Sequence, residues 1–306
     1  MSAENNEADE VNASCCASCG IAEIDEIKLK KCDGCDLVRY CCDECRDKLE
    51  HAEDCKTRAA QLVRDEILFK QPESTHLGDC PICCVPLPLN VEISMMSCCS
   101  KVVCGGCAYA IQNREREARR APSCPFCRKV IPQTIEEHCK QLKKRIEVND
   151  PDAISKWGAL QYDKGDYIAA IEYLTKAAEL GDANAHNQLA HMYHRGLGVE
   201  NDEGKTIHHL EEAAIGGHPT ARHNLGAYEW DNNYDYERAV KHWVIAATQG
   251  RNDSIKALMR AYKDPGCVTH EGLAFALRAH KAAVDATKSP QRKAAEEYCR
   301  KKNNSC

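Results

Sequence analysis

Apolar residues recur at helical spacing through the second half of the chain, and the recurrence itself repeats. The segments KAAELGDANAHNQLA from Lys176, EAAIGGHPTARHNLG from Glu212 and IAATQGRNDSIKALM from Ile245 align on paired alanines, a glycine and a leucine. Their glycines, Gly181, Gly217 and Gly250, lie 36 and 33 residues apart. A period in the thirties implies stacked helix pairs, because one pair cannot bury its apolar face alone and neighbours do so for one another. The alanines let helices approach closely, and each glycine supplies the left-handed residue that ends one helix before the next begins. About four such units fit between Asp152 and Ala286.

Ahead of the repeats the pattern predicts three further helices. One runs from about Glu53 to Phe69. A second occupies AYAIQNREREARRAPS from Ala108, where Glu and Arg alternate at i, i+4 spacing and present a solvated face. The third, TIEEHCKQLKKRIEVND, opens with Thr134-x-x-Glu137, a capping box, and reads as a linking helix. The end of the chain, KSPQRKAAEEYCRKKNNSC, is polar and reads as a fraying tail. No run of eighteen apolar residues occurs, so no membrane span is expected. The first thirteen residues are acidic and lack the basic and apolar regions of a secretory signal, so an intracellular setting, cytoplasmic or nuclear, is expected.

Composition adds a second chemistry. The chain has 306 residues and 22 cysteines, and eighteen of these lie between Cys15 and Cys127. In a reducing compartment dense cysteine pairs bind metal more often than they form disulfides. The net charge of -6 offers no basic excess to offset phosphate repulsion, so nucleic acid is not the expected partner.

The first cluster reads Cys16-x2-Cys19, Cys32-x2-Cys35, Cys41-x3-Cys45 and His51-x3-Cys55. Two residues between thiolates allow both to reach one zinc, and the i, i+4 pair shares a helix face. Eight donors suffice for two tetrahedral sites. The ending RYCCDECRDKLEHAEDC resembles the MYND zinc finger. That resemblance implies interleaved wiring, with Cys16, Cys19, Cys41 and Cys45 on one zinc and Cys32, Cys35, His51 and Cys55 on the other. Cys15 and Cys42 adjoin better-spaced ligands and read as spare thiols. The spacing from Cys45 to His51 is shorter than the family's, and its usual tryptophan is missing.

The second cluster runs Cys80-Pro-Ile-Cys83, MMSCCSKVVCGGC and Cys124-Pro-Phe-Cys127-Arg128. Its order of pair, middle block and pair resembles a RING finger. The resemblance implies one zinc on Cys80, Cys83, Cys104 and Cys107, and a second on Cys99, Cys124, Cys127 and a histidine at position 101. Here that position is Lys101, whose ammonium cannot ligate zinc. Three replacements are open: Cys98, which is preferred; Cys84 or His138; or a site left empty or completed by water. The family's docking positions for a ubiquitin-conjugating enzyme fall on Ile82, Pro125 and Arg128. The aromatic that usually helps to line that groove is absent between Cys107 and Cys124, where Tyr109 lies at the wrong end.

The repeats resemble Sel-like repeats, relatives of tetratricopeptide repeats, which bind proteins along a concave face. Their histidines, including His191 with His194 and the pair His208 and His209, read as surface or packing residues, since no further ligands are evident. The expected fold is multidomain, with two small α+β zinc-binding fingers followed by an all-α solenoid of helix pairs. Its divisions are a disordered acidic tail (1–13), a MYND-type finger (14–57), a helical linker (58–77), a RING-like finger (78–132), a linking helix (133–150), repeats (151–287) and a polar tail (288–306). Three or four structural zinc ions are expected, and the two halves of the chain are expected to fold independently. The expected function is ubiquitin transfer by a RING-type ligase whose MYND finger and repeats recruit proteins, or that of a non-catalytic adaptor with a degenerate RING.

Overall fold

The computed structural model describes residues 30–32, 39–40, 44, 52–89 and 93–303. The chain forms two compact units, Met1–Lys70 and Gln71–Cys306. In the first, β1 (Lys30–Lys31) pairs antiparallel with β2 (Arg39–Tyr40), and α1 spans Ala52–Leu68 close to the expected helix. Cys32 and Tyr40 are buried there, and Cys55 falls within α1. Cys16, Cys19, Cys35, Cys41, Cys45 and His51 lie outside the described residues, as do Cys15, Cys42 and the acidic segment 1–13.

The second unit begins with the cysteine-rich module. β3 (Ile93–Met95) and β4 (Val102–Cys104) form an antiparallel pair in the register Ile93↔Cys104, and α2 (Gly105–Glu117) follows at once. The charged face expected on α2 is solvated only in part. Glu115 is buried between Arg114 and Arg120, at 2.8 and 3.2 Å. The linking helix α3 (Ile135–Ile146) starts as its sequence dictates: Thr134 Oγ1 accepts from Glu137 N at 3.2 Å. The Glu137 carboxylate reaches back one residue further than in a standard capping box, to Gln133 N at 3.1 Å.

The solenoid comprises α4 (Pro151–Asp163), α5 (Tyr167–Glu179), α6 (Ala183–Arg195), α7 (Glu203–Ile215), α8 (Pro219–Tyr228), α9 (Tyr236–Thr248), α10 (Asn252–Ala261) and α11 (His270–Ala286). The repeated alanine pairs and glycines build one device three times. Gly181, Gly217 and Gly250 have φ of 85°, 78° and 90°. Each glycine N–H donates to the second alanine's carbonyl (Ala178, Ala214, Ala247), and the next residue's N–H donates to the first (Ala177, Ala213, Ala246). This is the paired capping of a Schellman motif. The same six alanines are buried, so one dipeptide both closes its helix and packs it against a neighbour. A Cβ at position 181 meets nothing within 4 Å, which leaves φ as the only obstacle. Gly181→Ala is therefore expected to lower unfolding free energy by about 1–2 kcal/mol in denaturant titration.

Two buried clusters run through the solenoid, one centred on Ile154, Leu174, Leu189 and Met192, the other on Trp243, Leu258, Ala261 and Ala276. No helix among the described residues is long and apolar enough to cross a membrane.

One expectation needs correction. The polar tail does not fray over 290–303: it forms α12 (Pro290–Asn303), which packs on α2 with Ala295 buried and Tyr298 4.9 Å from Tyr109. The cysteine module and the repeats share the second unit. His76 N donates to Gly217 O at 3.0 Å, and the His76 ring stacks on His218 with centroids 4.1 Å apart. Burial holds these two imidazoles down, at about 4 and about 3, so both are neutral in the folded protein. Gln249 Nε2 donates to Ser74 O and Gly217 O, and Ser97 Oγ donates to Gln141 Oε1 at 2.7 Å.

Candidate metal centres

Three turns of the cysteine module share one backbone pattern. In the first, Cys80 N donates to Val85 O, Cys84 N donates to Cys80 O, and Cys84 has φ 53°. The last turn repeats this with Cys124 N to Lys129 O, Arg128 N to Cys124 O, and φ 61° at Arg128. The middle turn follows the same geometry with Met96 N to Lys101 O, Ser100 N to Met96 O, and φ 59° at Ser100. Met96 thus stands where the other two turns have their first cysteine. Cys98, one residue before Cys99, supplies the second thiol instead.

These turns and the start of α2 assemble two groups. Cys80, Cys83, Cys104 and Cys107 form one, and Cys98, Cys99, Cys124 and Cys127 form the other, with the Sγ atoms of each within 4.8 Å of one another. The pairs alternate along the chain between the two groups, which is the interleaved wiring implied by the second cluster's order. Zinc about 2.3 Å from four thiolates would place tetrahedral sulfurs about 3.8 Å apart. Cys83–Cys104 at 3.9 Å and Cys99–Cys124 at 3.7 Å meet that spacing, while Cys98–Cys127 is closer at 3.2 Å. Both donor sets are entirely sulfur, so they fit a closed structural zinc site.

In the first group backbone donors favour a thiolate at Cys80, while burial works against one at Cys83. Cys104 caps α2 and its Sγ accepts from Cys107 N, and Cys80 Sγ accepts from Cys104 N, both at 3.4 Å. Burial raises the Cys80 pKa, but backbone N–H donors from Cys104, Cys83 and Ile82 outweigh it and bring the thiol to about 7. Burial pushes Cys98 and Cys107 up, so without metal these two stay protonated. Zinc would displace those protons.

Of the three replacements for the missing histidine, only Cys98 lies in the second group. Cys84 is exposed, and His138 lines a cavity of 950 Å³ with Lys101, Asp152, Lys156 and Asp182. Lys101 is itself exposed. Ile82, Pro125 and Arg128 all lie on the exposed surface of the module, joined there by Phe126 and Val130. Tyr109 is taken up by Tyr298 of α12. In the repeats, His186 and His209 bring their Nδ1 atoms within 3.0 Å, and His209 stacks on Tyr193, which fits the packing role expected of the repeat histidines.

The second unit is thus a helix-pair solenoid that carries a cysteine-rich module. Its helix pairs are Sel1 repeats: the Sel1 repeat family matches residues 155–182, 183–218 and 219–250, which correspond to α4–α5, α6–α7 and α8–α9. Three of the four expected units are matched, and α10 with α11 continues the stack beyond them. Among solved structures the chain is similar to a Sel1 repeat protein from Oxalobacter formigenes, at 30% identity over 52% of this chain and 67% of that one, with a TM-score of 0.44. It is also similar to a protective antigen of uropathogenic Escherichia coli that displays an SLR fold. That match has 21% identity over 55% of this chain and 37% of the antigen, with a TM-score of 0.40. An immunity protein from Pseudomonas aeruginosa, PA5088, matches at 16% identity over 60% of this chain and 70% of that one, with a TM-score of 0.39. The repeats indicate a protein-interaction role, and the two thiol groups are able to hold metal ions.

Proposed function

We propose that this chain is a zinc-stabilised ubiquitin ligase of the RING type. In this reading its cysteine module positions a ubiquitin-conjugating enzyme while the Sel1 repeats gather a substrate or scaffold protein. The observation that carries the reading is the pair of interleaved four-thiol groups, in which Cys98 supplies what Lys101 cannot. Ile82, Pro125 and Arg128 are exposed where the resemblance calls for a docking surface. The ligase would contribute no nucleophile, and its effect would be to hold a charged thioester and an acceptor amine in attack geometry. The first cysteine cluster, with Cys16, Cys19, Cys32, Cys35, Cys41, Cys45, His51 and Cys55 as ligands, would add a MYND-type peptide-binding finger.

A second reading, a non-catalytic adaptor with the same zinc centres, is favoured by Lys101 standing at the position where the resemblance calls for a histidine ligand. Discharge of ubiquitin from a panel of charged conjugating enzymes separates the two. The ligase reading expects zinc-dependent discharge that Ile82→Ala reduces about tenfold or more, as loss of a central apolar anchor does at interfaces, without changing bound zinc. No discharge with any enzyme of the panel leaves the adaptor.

A further inference from the structure

The least expected side chain in the molecule is Arg292, in the first turn of α12. It is buried at 5% exposure, and among the described residues no carboxylate pairs with it. Its guanidinium donates to Pro86 O at 2.7 Å, to Val85 O at 3.1 Å and to Thr287 O, and its Nη2 lies 3.8 Å from Cys83 Sγ. Ser289 Oγ accepts from Arg292 N at 3.2 Å and sets the start of the helix. A buried guanidinium normally needs an anion, because taking its charge out of water costs several kcal/mol. Carbonyl oxygens accept from its Nη atoms, its Nε is buried without a hydrogen-bond partner, and none of these contacts offsets its charge. The available anion is the first thiol group, which carries two net negative charges when four thiolates hold one zinc.

Close approach is built into the opposite surface. A Cβ at Gly106, between the ligands Cys104 and Cys107, would meet Arg292 N at 2.7 Å and Gln291 C at 2.8 Å. The α12 backbone therefore rests on the turn that presents two of the four thiols. Tyr298 against Tyr109 and Arg116 over Tyr298 extend that contact along α2.

We propose that Arg292 is a positioning residue for the first metal centre and that α12 is a metal-dependent latch. The zinc-thiolate charge holds Arg292 in the module, and Arg292 in turn holds the zinc. The proposal rests on the reading of Cys80, Cys83, Cys104 and Cys107 as zinc ligands. Since coupling is reciprocal, loss of the metal releases α12 and loss of the α12 contact weakens the metal.

The test is competition of full-length protein against graded chelators, with bound zinc counted by native mass spectrometry and α12 followed by hydrogen exchange. Arg292→Met is expected to weaken one zinc by about 10–100-fold and leave the others unchanged, as removal of a ligand's outer partner does. Arg292→Lys, which keeps the charge, is expected to retain more of that affinity than Met. Gly106→Ala, whose Cβ pushes the Arg292 backbone off the turn while the arginine side chain and all thiols remain in the sequence, should weaken the same zinc. Chelation should expose the amides of 290–303 together with those of 80–87. Parental affinity in both Arg292→Met and Gly106→Ala overturns the latch, as does Met matching Lys, which a pure packing role predicts. A Cys80→Ala variant with the parent's zinc count overturns the underlying ligand reading instead.

Discussion

Chelation of zinc from the full-length chain is expected to unfold residues 78–132 while most helical circular dichroism remains, and to lower the melting temperature of the repeats with it. Five of the eight residues in the module's buried cluster are cysteines: Cys80, Cys98, Cys104, Cys107 and Cys124. The remainder, Leu87, Met96 and Val103, are too few to hold a fold of that length without metal. Structural zinc contributes about 10–16 kcal/mol in isolated fingers, so its removal decides the outcome for the module. The effect on the repeats follows from the shared second unit. The bonds from Ser97 to Gln141, from His76 to Gly217 and from Gln249 to Ser74 join segments flanking or within the module to α3 and the solenoid. Each contributes about 0.5–1.5 kcal/mol, and loss of two or three should move the repeat transition by about 5 °C or more. A repeat transition that stays in place after chelation would show that module and solenoid fold independently.

Leu174→Ala is expected to be the most damaging single truncation in the first repeat, at about 2–5 kcal/mol in denaturant unfolding. Leu174 is fully buried among Ile154, Ala170, Ala177 and Leu189. Its Cγ would lie 2.8 Å from a Cβ on Gly158 of α4, so glycine there is what admits the leucine. Gly158→Ala alone should cost about 1–3 kcal/mol by overpacking, despite alanine's better helix propensity. Combined, the two changes relieve each other, because the methyl introduced at position 158 enters space vacated by Leu174. The double variant should therefore be less destabilised than the sum of the singles. Strict additivity would mean that the two side chains do not share this space.

The solenoid was legible because its signals are local and repeated. Ala177-Ala178 with Gly181, and the same set at 213–217 and 246–250, fix helix ends and close packing through backbone geometry that glycine favours at positive φ. The cysteine module was legible in its two Cys-x2-Cys turns and ambiguous in its middle block. In SCCSKVVC only its position beside Cys99 made Cys98 the preferred replacement, and the structure places it in the second thiol group, next to a Met96 turn that copies the hydrogen bonds of the cysteine turns. The last helix was misread for a physical reason. α12 buries little apolar surface, and its anchor is an arginine, the residue type whose burial a hydropathy pattern is least able to announce. The union of module and repeats was also illegible, since His76 meets the end of the second repeat, and Gln71 and Ser74 the end of the third, through a few contacts distant in sequence.

The central claim is that Cys98 completes a second four-thiol zinc centre beside the one on Cys80, Cys83, Cys104 and Cys107. Native mass spectrometry of the full-length chain beside a Cys98→Ser variant tests it most directly. The account predicts that the variant carries one zinc fewer than the parent, four falling to three if the first cysteine cluster also holds its pair. Equal zinc counts in parent and variant would contradict it.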